Sequence, residues 1–265
     1  MKRTLLFSAL LYALLTLLPL GAWAQSPYEN SKSLDATETL RYDLAFRWTI
    51  VRGKVGEARL INKPANKNQY FSQLIFRTTG IGDNVFPMRD TLETLFSAQK
   101  RPIRFEKRTN ENKFRLNDVI SYVYSAQRTA LKVKQWNEDG VRIDTTLYLE
   151  SGAVVADMLS TIALVRSVDY RTMKVGHKYA FVSPSDDKLV GANYRLTGYG
   201  TAKIGGSETV NVLKIAVQVR DDAFEKGGNA MEVWLTRDDR LLPVFISARL
   251  NFGYAECTLT GFSRN

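Results

Sequence analysis

Apolar and polar residues alternate along most of this chain, a pattern typical of β-strands with one buried and one solvated face. The clearest example spans residues 40–50, where apolar side chains occupy every second position: Leu40, Tyr42, Leu44, Phe46, Trp48 and Ile50. Gly53 and Gly56 then predict a turn, and residues 57–61 are predicted to return as the partner strand. The first predicted element is therefore an antiparallel hairpin.

The same alternation predicts roughly a dozen strands joined by short turns. The further predicted strands cover residues 70–79, 91–98, 103–107, 118–124, 130–136, 141–148, 179–183, 194–201, 213–219, 231–235, 244–250 and 254–262. Consecutive strands with hairpin-length links pair antiparallel, and strands do not alternate with helices here. We expect a mainly antiparallel all-β fold, either a large curved sheet or a barrel, in one domain over residues 39–265 with a weak joint near Gly152.

One segment changes period and predicts a single helix near residues 155–168. Its apolar residues recur at helical spacing, at Val155, Met158, Leu159, Ile162 and Val165. Asp157 stands where a helix cap is expected, because a carboxylate there can accept hydrogen bonds from the first free amides. The helix is predicted to cover one mouth or one face of the sheet.

Residues 1–24 have the pattern of an export signal. Lys2 and Arg3 precede an apolar run over residues 5–20, and Ala22-Trp23-Ala24 follows as a cleavage site. A membrane anchor is the alternative, but the run is short for a stable span. We expect residues 25–38 to be a flexible lead-in and the protein to be periplasmic or associated with the outer envelope. An outer-membrane barrel is disfavoured, because a helix interrupts the strands and apolar faces carry charges.

Charge and cysteine content limit the classes of binding partner and the covalent cross-links that the chain can have. The net charge of +10 would suit anionic envelope components, but acidic residues are interspersed throughout, so a basic soluble surface is the simpler interpretation. No nucleic-acid motif is present. Cys257 is the only cysteine, so no internal disulfide can form, and its apolar neighbours predict a buried, unreactive thiol.

Catalytic and cofactor motifs are weak, so no catalytic, metal-binding or cofactor-binding residue is assigned. One histidine and one cysteine argue against common zinc sites. The pairs Asp186-Asp187 and Asp221-Asp222 lack calcium-loop spacing and are predicted to be solvated turns, as are Asp238 and Asp239. His177 and Ser207, the latter in Gly205–Thr209, are interpreted as turn residues without a catalytic function. Gly80–Gly82 and Gly198–Gly200 lack the third glycine and the following helix of a nucleotide-binding loop.

Two groups of residues have the composition of binding surfaces. A basic group on one predicted hairpin would suit an anionic ligand, although a solvated hairpin that its charges protect from edge pairing is the simpler explanation: Arg101, Arg104, Lys107, Arg108, Lys113 and Arg115. An aromatic group would suit a sugar- or lipid-binding cavity, although core packing is the simpler explanation: Trp48, Trp136, Trp234, Tyr122 and Tyr124.

The chain resembles the domain-of-unknown-function family 3108 of exported Gram-negative proteins. The resemblance covers residues 38–262 and rests on four stretches: residues 38–42 leading to residues 53–58, Arg101-Pro102, residues 157–161 with Val165-Arg166, and residues 233–236 with Asp238, Asp239 and Pro243. It implies export and a β-rich fold, and it assigns no functional residue. A looser, fold-level analogy is to periplasmic lipoprotein carriers, whose curved sheet encloses a hydrophobic cavity.

The sequence therefore predicts a non-enzymatic periplasmic or envelope protein that binds a lipid-like or amphipathic ligand, or a partner protein, in a curved β-sheet. Two alternatives stay open: a glycan-acting hydrolase with two catalytic carboxylates, and a structural or assembly factor of the envelope. No cofactor is predicted, and the oligomeric state is left open.

Overall fold

The computed structural model describes residue 28 and residues 30–48, 51–66, 68–219, 231–250 and 253–265. The predicted export signal lies outside these residues. The first half of the described chain forms eight strands: β1 (Glu38–Trp48), β2 (Val51–Ala65), β3 (Gln69–Thr78), β4 (Arg89–Phe96), β5 (Pro102–Glu111), β6 (Phe114–Tyr124), β7 (Arg128–Asn137) and β8 (Gly140–Glu150). The second half adds six: β9 (Tyr179–Ser185), β10 (Lys188–Ile204), β11 (Glu208–Val219), β12 (Met231–Thr236), β13 (Pro243–Leu250) and β14 (Gly253–Arg264). The described helices are α1 (Ile81–Val85) and α2 (Ser160–Val165).

All fourteen strands belong to one antiparallel sheet. Two meanders, β1 to β8 and β9 to β14, are joined through the pairing of β1 with β14, which brings the start and the end of the domain together. Among the described residues, β8 and β9 are the two edges of the sheet. The prediction of a mainly antiparallel curved sheet is confirmed.

Register places apolar side chains opposite one another on the inner face of the sheet. Leu60 lies opposite Leu74, which in turn lies opposite Leu92, and all three are buried. In the other meander Ile215 lies opposite Val233 in the same way. These rows belong to two hydrophobic clusters, one built mainly on the second meander and one built mainly on the first but extending onto β10, β11, β13 and β14. Burial of this alternating face is the main stabilising contribution to the fold.

Residues 151–178 connect the two sheet edges and contain α2. The backbone of this segment pairs with β9 in parallel, since the amide of Ala156 donates to the carbonyl of Val182 and the amide of Val182 donates to that of Val154. The predicted helix near 155–168 is therefore shorter than expected, because residues 154–156 are held as an extended strand partner. Within residues 151–178, only Ser160–Val165 is helical.

The turn predicted at Gly53 and Gly56 is wrong, because both glycines lie within a strand. β2 begins at Val51 and contains both Gly53 and Gly56. Position 56 in this strand requires a glycine, because a Cβ atom there would overlap the carbonyl oxygen of Arg77 on β3. This glycine allows close backbone approach instead of a turn.

The predicted lead-in differs from the structure in its packing. Tyr28 and Leu34 are buried in the cluster of the second meander. The hydroxyl of Tyr28 donates to the carbonyl of Val155 at 2.6 Å. The described part of the lead-in is therefore packed against the connecting segment before β1 begins.

Candidate functional site

The residues weighed for catalysis or calcium binding lie in separate turns: His177, Ser207 and Asp186. His177 precedes β9, where its ring contacts that of Tyr179 with centroids 4.8 Å apart. Ser207 lies in the turn between β10 and β11, as predicted. Asp186, between β9 and β10, accepts a hydrogen bond from the amide of Gln135 at 2.8 Å. Asp221 and Asp222 lie outside the described residues. No described contact of His177 or Ser207 joins a nucleophile to a base.

Two carboxyl groups do meet on the inner side of the sheet. Burial, followed by the nearby carboxyl of Asp90, raises the pKa of Glu111. Asp90 also accepts a hydrogen bond from the amide of Asn110 at 2.8 Å. Retaining and inverting glycosidases separate their carboxyls by about 5–10 Å to admit a sugar or a water, whereas Asp90 lies close enough to Glu111 to raise the pKa of its carboxyl. Across the described ranges, no group of three or more metal-ligating side chains occurs.

Asp157 has the capping role that the sequence predicts. Its carboxylate accepts hydrogen bonds from the backbone amides of Leu159 and Ser160, at 3.0 and 2.7 Å. The hydroxyls of Thr94 and Tyr122 donate to the same group from β4 and β6. This fully buried carboxyl therefore fixes the connecting segment to the sheet, which is a structural role.

The basic residues of the predicted hairpin divide into paired and unpaired groups. Arg104 pairs with Glu106 at 2.6 Å, and Arg108 pairs with Glu93 at 3.0 Å. Arg101 lies over the ring of Tyr124. Lys113 and Arg115, at the β5–β6 turn, form no ion pair with any carboxylate that the structure describes, and both are exposed. A positive charge therefore remains available at this turn.

The aromatic residues proposed for a cavity are not gathered into one site. Tyr122 and Tyr124 stack with ring centroids 6.4 Å apart, and Trp234 packs against Phe245 on β13. Trp136 lines a shallow, open depression of about 280 Å³ at the β7–β8 turn, and the side chain of Trp48 is outside the described set. Their placement fits core and surface packing.

A cluster of exposed apolar side chains lies at the end of the sheet where β3 joins β4 and β5 joins β6. We call it the apolar tip; its residues are 67 %, 77 %, 47 % and 45 % exposed, respectively: Ile81, Val85, Phe86 and Phe114. The two loops are adjacent, because the amide of Asn112 donates to the carbonyl of Pro87 at 2.7 Å. An exposed apolar cluster of this kind typically marks a binding surface.

Local structure explains why the apolar tip faces outward. Gly82 is the buried residue of α1, and a Cβ atom there would overlap the carbonyl oxygen of Val55 on β2. Since residues four apart share a helix face, Ile81 and Val85 project together from α1. Asp83 pairs with Arg89 at 2.8 Å, which holds the loop in place. The guanidinium of Arg89 lowers the pKa of the Asp83 carboxyl, so this ion pair persists at neutral pH.

Comparison with known proteins identifies the family of the chain. Residues 41–260 match the family described as "Protein of unknown function (DUF3108)". The chain belongs to the DUF3108 family. The resemblance seen in the sequence is thereby confirmed.

The fold of this DUF3108 member is shared with a solved structure. A β-barrel-like protein of the domain of unknown function DUF1849 from Brucella abortus matches with a TM-score of 0.61 and 12 % identity, covering 87 % of this chain and 98 % of that one. At this identity the likeness shows the fold alone. No curated protein matches the chain.

The sequence contained only a faint signal for the apolar tip of this DUF3108 member. The apolar residues among residues 80–88 recur with neither the period of a strand nor that of a long helix. Gly80–Gly82 matches only part of a nucleotide-binding motif. Three apolar residues, Ile81, Val85 and Phe86, stand in a loop where solvent exposure would favour polar ones. Apolar residues in a predicted loop were the signal that could have identified the tip.

Cys257 tests the packing of β14 in the DUF3108 fold. Burial raises the pKa of its thiol to about 12. Because the thiolate is the reactive form, we expect the native protein to react with a disulfide reagent at pH 8 far more slowly than the unfolded protein does. The two reaction rates are measured, with and without denaturant, from the chromophore that the disulfide reagent releases when it reacts with the thiol. Equal rates in the two states would show that the β13–β14 region opens readily.

Proposed function

We propose that the protein is an exported, non-enzymatic envelope protein that binds the surface of an anionic membrane through its apolar tip. The observation that carries the proposal is the juxtaposition of exposed apolar side chains with two cations that lack carboxylate partners among the described residues. Lys113 and Arg115 flank Phe114 directly in sequence. Apolar side chains that enter the headgroup region, with basic residues beside them, are the combination used by peripheral membrane proteins.

Two contributions would hold the apolar tip at a membrane surface. Apolar area removed from water contributes about 25 cal/mol per Å². Each basic residue close to an anionic lipid surface adds about 1 kcal/mol, and salt weakens this contribution. Neither contribution is large alone, so the proposal is of reversible docking. The predicted leader and the net charge of +10 support a location beside envelope lipids.

Packing inside the sheet favours binding at the tip over binding in an internal cavity. Leu131, Leu213 and Leu235 have no exposed area and belong to the two clusters that fill the inner face. Close-packed cores of this kind have no room for an acyl chain without displacement of side chains. In the described ranges, neither helix has the length and apolar character of a transmembrane span. We therefore propose binding to a membrane surface.

The apolar contribution is tested by replacing Ile81 and Val85 with serine. We expect binding to vesicles of phosphatidylglycerol mixed with phosphatidylcholine to weaken about tenfold, because two apolar side chains no longer enter the interface. Co-sedimentation across a range of lipid concentrations measures the partition coefficient. The matched control replaces Met158 and Val175, which are 54 % and 59 % exposed in the segment between β8 and β9, and should leave binding unchanged.

The electrostatic contribution is tested separately by replacing Lys113 and Arg115 with glutamate. Binding to the anionic vesicles should fall and its salt dependence should weaken, while binding to pure phosphatidylcholine stays the same. Replacing exposed Arg59 and Lys132 with glutamate is the control for net charge. The proposal would be contradicted if wild-type binding did not depend on the anionic lipid content of the vesicles, or if the test and control variants lost binding equally.

A further inference from the structure

The two edges of the sheet differ in how they are protected. β9 has seven residues, contains Pro184 and is bridged through Val182 by the connecting segment. β8 has eleven residues and no proline, and none of its residues is buried. Its outer edge has no strand partner within the described part of the chain. A long unprotected edge offers backbone donors and acceptors to another strand.

The sequence of β8 is complementary to itself when it is read in the antiparallel direction. If Thr146 faces Thr146 of a second copy, Arg142 lies next to Glu150 of that copy, so opposite charges meet at both ends. The same register places Ile143 opposite Leu149 and Asp144 opposite Tyr148. No like charges face each other, and a threonine pair at the centre is favourable between antiparallel strands.

We infer that the β8 edge is the interface of a symmetric homodimer, in which two copies pair β8 against β8 about a twofold axis centred on Thr146. Such an interface is isologous, so the Arg142–Glu150 contact occurs twice. Both side chains are exposed and form no salt bridge within the part of the chain that the structure describes. A register shift against β7 leaves Arg142 as an extra residue on β8, at the end of the paired segment where its long side chain still reaches Glu150 of the second copy.

Charge reversal tests both the interface and its register. Arg142→Glu and Glu150→Arg each place like charges together, and each should weaken dimerisation about tenfold. The double variant restores opposite charges in exchanged positions and should recover the wild-type dissociation constant. Burial raises the pKa of Asp118, and the charge of Arg142 partly offsets this, so Glu150→Arg is the cleaner single test because it leaves Asp118 undisturbed. Sedimentation equilibrium of the purified protein measures each constant, with Arg59→Glu as the control for net charge.

A cysteine at the symmetry axis provides a second, independent measurement. Thr146→Cys places two thiols opposite each other in the proposed register, so mild oxidation should produce a covalent dimer. Asp144→Cys, two residues along the same strand, should not cross-link, because its counterpart lies four residues away. Circular dichroism confirms that each variant is folded. Three results would overturn the inference. The wild type could be monomeric, neither charge reversal could change the dissociation constant of the dimer, or positions 144 and 146 could cross-link equally.

Discussion

Replacing Asp157 with alanine is expected to lower the free energy of unfolding by about 3–4 kcal/mol. The carboxylate is 1 % exposed and accepts hydrogen bonds from two backbone amides and from the hydroxyls of Thr94 and Tyr122. Alanine leaves these donors buried without an acceptor, and each such group is costly in apolar surroundings. Urea unfolding followed by tryptophan fluorescence measures the loss, provided that the denaturant slope stays constant.

The asparagine variant separates hydrogen bonding from charge. Asparagine keeps a carbonyl oxygen for the two amides, so we expect Asp157→Asn to cost clearly less than Asp157→Ala. Burial raises the pKa of Asp157, although hydrogen bonds from Ser160, Tyr122 and Thr94 partly offset this. The folded state therefore binds the proton more tightly than the unfolded state. The contribution of this carboxyl to stability is greatest below its unfolded pKa and falls as the pH rises through its folded pKa.

The pH dependence supplies a sharp control for this prediction. The difference in stability between the wild type and Asp157→Asn should favour the wild type most at low pH and decrease as the pH rises. A difference that is constant with pH would show that Asp157 has the same pKa in the folded and unfolded states. An alanine variant as stable as the wild type would show that α2 and the sheet are held together without this carboxyl.

Alternation in the sequence predicted most of this sheet because each strand carries its own pattern. Leu60, Leu74 and Leu92 could be placed on the inner face without knowledge of their partners, and the structure pairs them in register. Antiparallel pairing of neighbours followed from the short turns. The resemblance carried by residues such as Asp157 and Pro243 also identified the family, which the match over residues 41–260 confirms.

Features that depend on distant contacts could not be predicted in the same way. The pairing of β1 with β14 joins residues more than 200 positions apart, for example Leu40 with Phe262, and alternation carries no information about such a partner. The helix α1 has five residues and depends on Gly82 packing against Val55. Tertiary contacts determine helices this short, because their intrinsic stability is negligible.

The candidate site likewise combines features that local sequence predicts with features that depend on distant contacts. The capping role of Asp157 follows from local sequence, whereas its contacts with Thr94 and Tyr122 arise only when the connecting segment meets β4 and β6. The apolar tip joins two loops that are about thirty residues apart at Phe86 and Phe114, so the sequence of either loop does not show that their apolar side chains lie at the same end of the sheet. Sequence patterns thus give the faces of strands, while sites made by neighbouring loops require the sheet order.

The buried ion pair between Glu38 and Arg166 connects the sheet to the end of α2. Arg166 donates to Glu38 at 2.5 Å, and both side chains are 1 % exposed. Asn62 on β2 also donates to Glu38, and Arg166 donates to the carbonyl of Arg240 in the β12–β13 turn. Since the pair joins β1 and β2 to the second meander, its loss should affect the whole fold.

Glu38→Gln is expected to lower the free energy of unfolding by about 3–5 kcal/mol, because the guanidinium of Arg166 keeps its buried charge and loses its counterion. Adding Arg166→Met removes that charge and fills similar volume, so the double variant should be more stable than Glu38→Gln alone. A double-mutant cycle by urea unfolding gives the coupling, which we expect to be about 2–3 kcal/mol. The exposed pair of Arg171 and Asp239 is the matched control: Asp239→Asn should leave stability almost unchanged, because solvent screens that contact. A coupling near zero for the buried pair would mean that apolar packing alone fastens α2 to the sheet, and the double variant would then be no more stable than Glu38→Gln.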